Sequence, residues 1–116
     1  MSTKDYTKDR PAAGNDLYTV VTWAALAAND DGAPLKYGQL ADRTVQVAGT
    51  FDGATVVLEG SLDGSHYHTL TDPQGNALSF TAAGLEAVTE AVAFIRPRVT
   101  GGGAGVALDV LLLLRG

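Results

Sequence analysis

From Leu17 onward, apolar residues come in short runs separated by turn residues, and Val, Thr and Leu are favoured over charged helix formers. This pattern predicts strands over residues 17–27, 35–40, 44–51, 54–61, 66–71, 77–81, 93–100 and 105–115. In the third of these, Val45, Val47 and Phe51 share one face, and Thr44, Gln46 and Thr50 share the other. That alternation belongs to a strand with one face buried. The last run is different: Val106, Leu108, Val110, Leu112 and Leu114 line one face, while Leu111 and Leu113 make the other apolar as well. Either this strand is central and covered on both sides, or another chain buries its end. In LEAVTEAV, Leu85, Val88 and Val92 recur at helical intervals, but the segment is shorter than a secure helix. A helical turn or a loop is expected there.

The turn residues add connectivity. Asp52-Gly53 suits a two-residue turn that needs positive φ, so strands 44–51 and 54–61 are expected to pair as an antiparallel hairpin. Asp63-Gly64 repeats the signal, and Asp72-Pro73-Gln74-Gly75-Asn76 is a wider turn. Pro97 donates no ladder hydrogen bond, which predicts an edge position or a bulge for strand 93–100. About eight short strands with regular turns predict an all-β fold, an antiparallel β-sandwich or jelly-roll-like arrangement over residues 17–116. Ahead of it, residues 1–16 carry Lys4, Asp5, Lys8, Asp9, Arg10 and Asp16 with almost no apolar side chains. Little there offsets the entropy of ordering, so a flexible N-terminal arm is expected, with a frayed terminus as the plainer alternative.

A chain of 116 residues corresponds to one domain that folds without a disulfide or a metal. The absence of cysteine removes thiol nucleophiles and thiolate metal sites. A formal net charge of −5 disfavours sequence-independent nucleic-acid binding, which requires clustered Lys and Arg. No apolar stretch early in the sequence resembles a secretory signal, and LDVLLLLRG is too short to span a bilayer, so no membrane partner is expected.

Candidate chemistry is sparse. His66 and His68, one residue apart, would share a strand face at a spacing found in metal sites, yet no third or fourth ligand stands nearby in sequence. Asp30-Asp31-Gly32 lacks the remainder of a calcium loop. Glu86 and Glu90 stand four apart, as on a solvated helical turn, and GGGAG (101–105) lacks the Lys-Ser/Thr of a phosphate loop and reads as a flexible connector. No G-x-S-x-G elbow is present, so no catalytic residue, metal or cofactor is assigned. Arg96 and Arg98 flank Pro97 on one strand face, placed either to grip a partner's carboxylates or to keep an edge from aggregating. Trp23, Tyr37 and Tyr67 are the aromatics that a carbohydrate-binding or adhesive sandwich would use as sugar platforms, although Trp23 lies in a run expected to be core.

The run ADRTVQVAGTFDGATVVLEGSLDGSHYHTLTDPQGNALSFTAAGLEAV, followed by IRPRVTGGGAG, resembles small structural proteins encoded among the virion genes of tailed bacteriophages. Its signatures are V-Q-V-x-G-T-F, then L-x-G-S-x-D-G with an aromatic position and L-T-D-P-Q-G-N, then I-R-P-x-V-T-G-G. They cover about residues 41–105 and mark turns and strands rather than catalysis. The aromatic position, a Trp in the pattern, is Tyr67 here, and in a regular strand Tyr67 would face opposite to Leu70. A bulge, or outward packing against a neighbouring subunit, would reconcile the two. The resemblance implies a non-enzymatic virion component, most commonly a capsid cement or decoration protein. Such a protein binds the major capsid protein on the outer capsid surface as a dimer or trimer, after synthesis in the host cytoplasm. A head-to-tail or tail accessory protein of the same fold is the alternative. Leu111, Leu113, Tyr67, Arg96 and Arg98 are the candidate protein–protein contacts.

Overall fold

The computed structural model describes residues 3–9, 18–36 and 42–115. The described residues are all-β, with twelve strands and no helix, arranged as two sheets packed around one core. In chain order the strands are β1 (Thr3–Lys4), β2 (Thr7–Asp9), β3 (Tyr18–Leu26), β4 (Asp31–Gly32), β5 (Leu35–Lys36) and β6 (Asp42–Thr50). They continue with β7 (Thr55–Ser61), β8 (His68–Thr69), β9 (Ser79–Phe80), β10 (Gly84–Ala87), β11 (Phe94–Thr100) and β12 (Ala107–Arg115). The first sheet runs β1-β4-β11-β7-β8, with β5 also on β11 and β9 also on β7. The second runs β10-β6-β12-β3-β2.

Period-two patterning explains the sandwich. Val21 and Trp23 of β3, Val45 and Val47 of β6, and Leu108, Val110, Leu112 and Leu114 of β12 are all buried. They face Val56 and Leu58 of β7 with Ile95 and Val99 of β11, buried likewise from the other sheet. Gly32 of the first sheet lies close against Trp23 of the second. A β-carbon there would stand 2.6 Å from both Pro97 Cδ and Trp23 Cδ1, so no larger residue fits.

Three expectations are corrected. Strands 44–51 and 54–61 do not form a hairpin: β6 pairs with β12 and β10, whereas β7 pairs with β11, β8 and β9. The tight turn itself is present, with Asp52 at φ 44°, Gly53 at φ 82° and the Ala54 N–H donating to Phe51 O at 2.8 Å. It carries the chain from one sheet to the other. Both strands have a face that must be buried, and Asp52 is drawn to the loop before β12, accepting from Gly105 N at 3.0 Å. Asp52 O also accepts from Gly103 N at 3.1 Å, so the GGGAG connector is tied down.

Second, the segment expected as a helical turn or loop contains β10, which lies antiparallel on β6. The free edge of β6 supplies the hydrogen-bond partners that so short a helix lacks. Third, β11 is not an edge strand. β7 covers one side and the short β4 and β5 the other, and Pro97 falls in the interval between Ile95, opposite Leu35, and Arg98, opposite Asp31. Among the described residues no ladder partner on that side asks Pro97 for a hydrogen.

Within the segment expected as an arm, residues 3–9 are laid onto the sandwich. β1 runs parallel to β4 and β2 antiparallel to β3, so this strap adds a strand to each sheet. Its anchor is Tyr6, set edge-on to Trp23 with ring centroids 5.6 Å apart. The Thr3 hydroxyl donates to Asp31 Oδ1 at 2.7 Å, and Lys4 Nζ lies 3.8 Å from Asp30 Oδ2. One aromatic and a set of ladder bonds thus do what the arm's composition did not announce. Residues 1–2 and 10–16 of the expected arm, Leu17 of the expected strand 17–27 and residues 37–40 of the expected strand 35–40 lie outside the described residues.

Candidate functional site

The outward face of the first sheet carries a polar stack. The β7–β11 register sets Glu59 opposite Arg96, with Arg98 one repeat further on the same face. Arg96 Nε donates to Glu59 Oε1 at 3.1 Å, and Arg98 Nη1 lies 3.7 Å from Glu59 Oε2. Arg96 also reaches Asp31 Oδ2 at 3.8 Å, and its guanidinium lies over the Tyr67 ring, 3.9 Å from the centroid. The expected grip on a partner's carboxylates is therefore already engaged inside the chain, although the Arg98 side chain remains 55% exposed. Tyr67 precedes β8 in a loop rather than sitting in a strand, which removes its conflict with buried Leu70. Its hydroxyl is buried with no hydrogen-bond partner among the described residues.

Beside this stack a groove of about 390 Å³ opens between the β7–β8 loop and the segment after β10, lined by Ser61, Leu62, His66, His68, Glu90 and Val92. His68 belongs to β8, but His66 lies in the loop, with Nδ1 2.7 Å from Asp63 Oδ2. Asp63 organises that loop, accepting from Ser65 N at 2.8 Å, His66 N at 2.9 Å and Ser61 Oγ at 2.8 Å. These donors, the His66 and Ser65 N–H groups foremost, hold its carboxyl well below the ordinary carboxylate range. Glu90 is held low in the same way, by the Thr71 hydroxyl first and then the Thr71 N–H at 2.8 Å. Among the described residues no group of three or more His, Asp or Glu gathers at metal-binding geometry. Asp30 and Asp31 of the partial calcium-like motif are occupied with the N-terminal strap.

The outward face of the second sheet is apolar at its centre. β12 lies between β6 and β3, so Leu111 faces Gln46 and Thr22, and Leu113 faces Thr44 and Val20. β10 adds Leu85 beside Gln46, 62% exposed. Val20, Thr44, Gln46, Leu85, Leu111 and Leu113 enclose a groove of about 270 Å³. Charges stand at both ends of this band, where Arg115 Nη2 lies 3.4 Å from Asp42 Oδ2 and Asp109 Oδ1 accepts from Ala25 N at 2.9 Å, and the β2 register sets Asp9 opposite Val20 at its side. Leu111 and Leu113 were legible as an apolar second face. Leu85 was missed because its segment had been assigned a helical period, and a period-two reading of Gly84–Ala87 would have found it.

Among the aromatics considered as sugar platforms, Trp23 is fully buried and donates to Ala33 O at 3.0 Å, and the Tyr67 ring is covered by Arg96. Tyr37 lies outside the described residues.

No protein-family model matches the chain, and a search of curated proteins returns no match. The fold is similar to the crystal structure of the SPBc2 prophage-derived protein YomS, with a TM-score of 0.64 and 11% identity over 88% of this chain and 97% of that one. At that identity the likeness shows a shared fold.

Proposed function

We propose that this protein is a non-enzymatic virion structural component of a tailed bacteriophage, of the capsid cement or decoration type, acting by binding other proteins. The observation that carries the reading is the contrast between its two kinds of surface. The carboxylates of the loop groove are committed to holding loops, and their lowered pKa values make them weak bases. The outward face of the second sheet instead presents a band of leucines with no catalytic groups. A surface of that sort binds protein. The virion context is supported by the sequence signatures over residues 41–105 and by the fold shared with a prophage-derived protein. On this reading the partners are the major capsid protein and further copies of the chain, and Leu111, Leu113, Tyr67, Arg96 and Arg98 are the candidate protein–protein contacts on the two outer faces.

The test is made on particles. Phage lacking the gene should yield heads that lose DNA on heating or chelation at milder conditions than complete heads, and added protein should bind them and restore resistance. Labelled protein found at the neck or tail and absent from the head lattice would turn the assignment to a tail accessory. Protein absent from purified virions would overturn it altogether.

A further inference from the structure

We infer that the leucine-bearing face of the second sheet is a self-association surface, and that two copies of this chain stack there about a two-fold axis. The inference rests on the proposed function only in treating this face as protein-binding, and it concerns the protein alone in solution.

Three features select a second copy as the occupant. The first is shape. Leu85 stands 62% exposed on the outer strand β10, beside a groove floored by Leu111 and Leu113 and closed across the sheet by Val20. Knob and groove lie side by side on one face. A two-fold rotation sets each copy's knob towards the other's groove, which is the self-complementarity that an isologous interface requires. The groove, at about 270 Å³, has room for a leucine side chain.

The second is charge. The chain carries a net −5, so two copies repel unless the meeting surfaces are locally neutral. At one end of the band Asp42 is paired with Arg115; at the other Asp109, hydrogen-bonded to the Ala25 amide, keeps its charge at an exposed position where solvent and salt screen it. Thr22, Thr44 and Gln46 separate the leucines with uncharged polar groups.

The third is area. β3, β6 and β12 are nine residues each, and with β10 they form a face about 30 Å long and 15 to 20 Å wide at ordinary strand spacings. Stacking two such faces buries about 900 to 1,200 Å² in all, the range of weak, reversible association just under that of stable specific complexes. The expected assembly is consequently a reversible dimer that dissociates on dilution.

The experiment is sedimentation velocity of the purified full chain over a concentration series, in low and high salt. The expected result is a monomer–dimer equilibrium that persists in high salt, because the contact is apolar. Leu85→Asp should weaken the dimer by at least about tenfold. Since Leu85 is exposed on an edge strand, that variant should keep the wild-type melting temperature. The pair Leu111→Thr and Leu113→Thr keeps strand propensity and should weaken the dimer to a similar degree. A wild-type chain that is monomeric at every concentration overturns the inference, as does a dimer lost in high salt or one indifferent to Leu85→Asp. A monomeric protein that still binds heads would overturn the dimer and leave the proposed function standing. A dimer that binds no heads would do the reverse.

Discussion

At the residue scale the most informative groups are polar ones whose partners the fold supplies. Glu90 sits below its ordinary pKa because the Thr71 hydroxyl and N–H bond its charged form. A carboxylate lowered in the folded state contributes stability above its unfolded pKa, and that contribution is lost as pH falls through the folded value. Asp63 is shifted the same way by its loop donors. The melting temperature should therefore fall as pH is taken from neutral down through the carboxylate range. Glu90→Gln should flatten part of that fall, and melts at a series of pH values for both proteins check this. Tyr67 and Arg96 make an opposing pair of predictions. The Tyr67 hydroxyl is buried without a partner among the described residues, so Tyr67→Phe should be neutral or stabilise by up to about 1 kcal/mol. Arg96→Ala removes the hydrogen bond to Glu59, which is only 6% exposed, and should destabilise by about 2 to 3 kcal/mol. Urea titrations of the two variants decide both, and a Tyr67→Phe protein much weaker than wild type would reveal a partner for the hydroxyl.

Among the elements, the N-terminal strap has the most to test. β1 and β2 are two and three residues long, and each joins a different sheet. Strands so short hold little by themselves, and the burden falls on Tyr6 against Trp23. Tyr6→Ala should cost about 1 to 2 kcal/mol and speed proteolysis ahead of Tyr18, while the sandwich stays folded. Equilibrium unfolding with limited digestion measures the two effects, and a variant as stable as wild type would mean that the ladder bonds hold the strap without its ring. β10 shows a different dependence on context. Its four residues are strand because β6 has an open edge beside them, and the same residues in isolation would satisfy a helical period equally well.

For the molecule as a whole, both sheets draw on one core, so unfolding should be a single cooperative transition seen alike by circular dichroism and by Trp23 fluorescence. No set of ligands gathers at metal-binding geometry among the described residues, so a chelator should leave that transition where it is. A chelator-dependent shift would point to a site formed with residues outside those described, or between copies. The two outer faces differ in kind, one a charge-balanced arginine and glutamate stack, the other a leucine band. That asymmetry allows one surface to meet a copy of the chain while the other stays free for a particle.

Alternation along the chain by itself determined the inward residues of β6 and β12, and hence the all-β class, because a strand with one wet face must repeat every two residues. It also determined the turn at Asp52-Gly53, since positive φ at consecutive positions is a local demand. Which strands the turn joined was decided only in three dimensions. The same reversal serves a hairpin or a crossing between sheets, and the need to bury Val45 and Val47 against Val56 and Leu58 selected the crossing. The same holds for Arg96 and Arg98, whose partner Glu59 is remote in sequence and met through strand register. It holds for the N-terminal strap, whose one aromatic meets Trp23 across a long gap in sequence, and for Leu85, which joins Leu111 and Leu113 because the edge of β6 is open to β10.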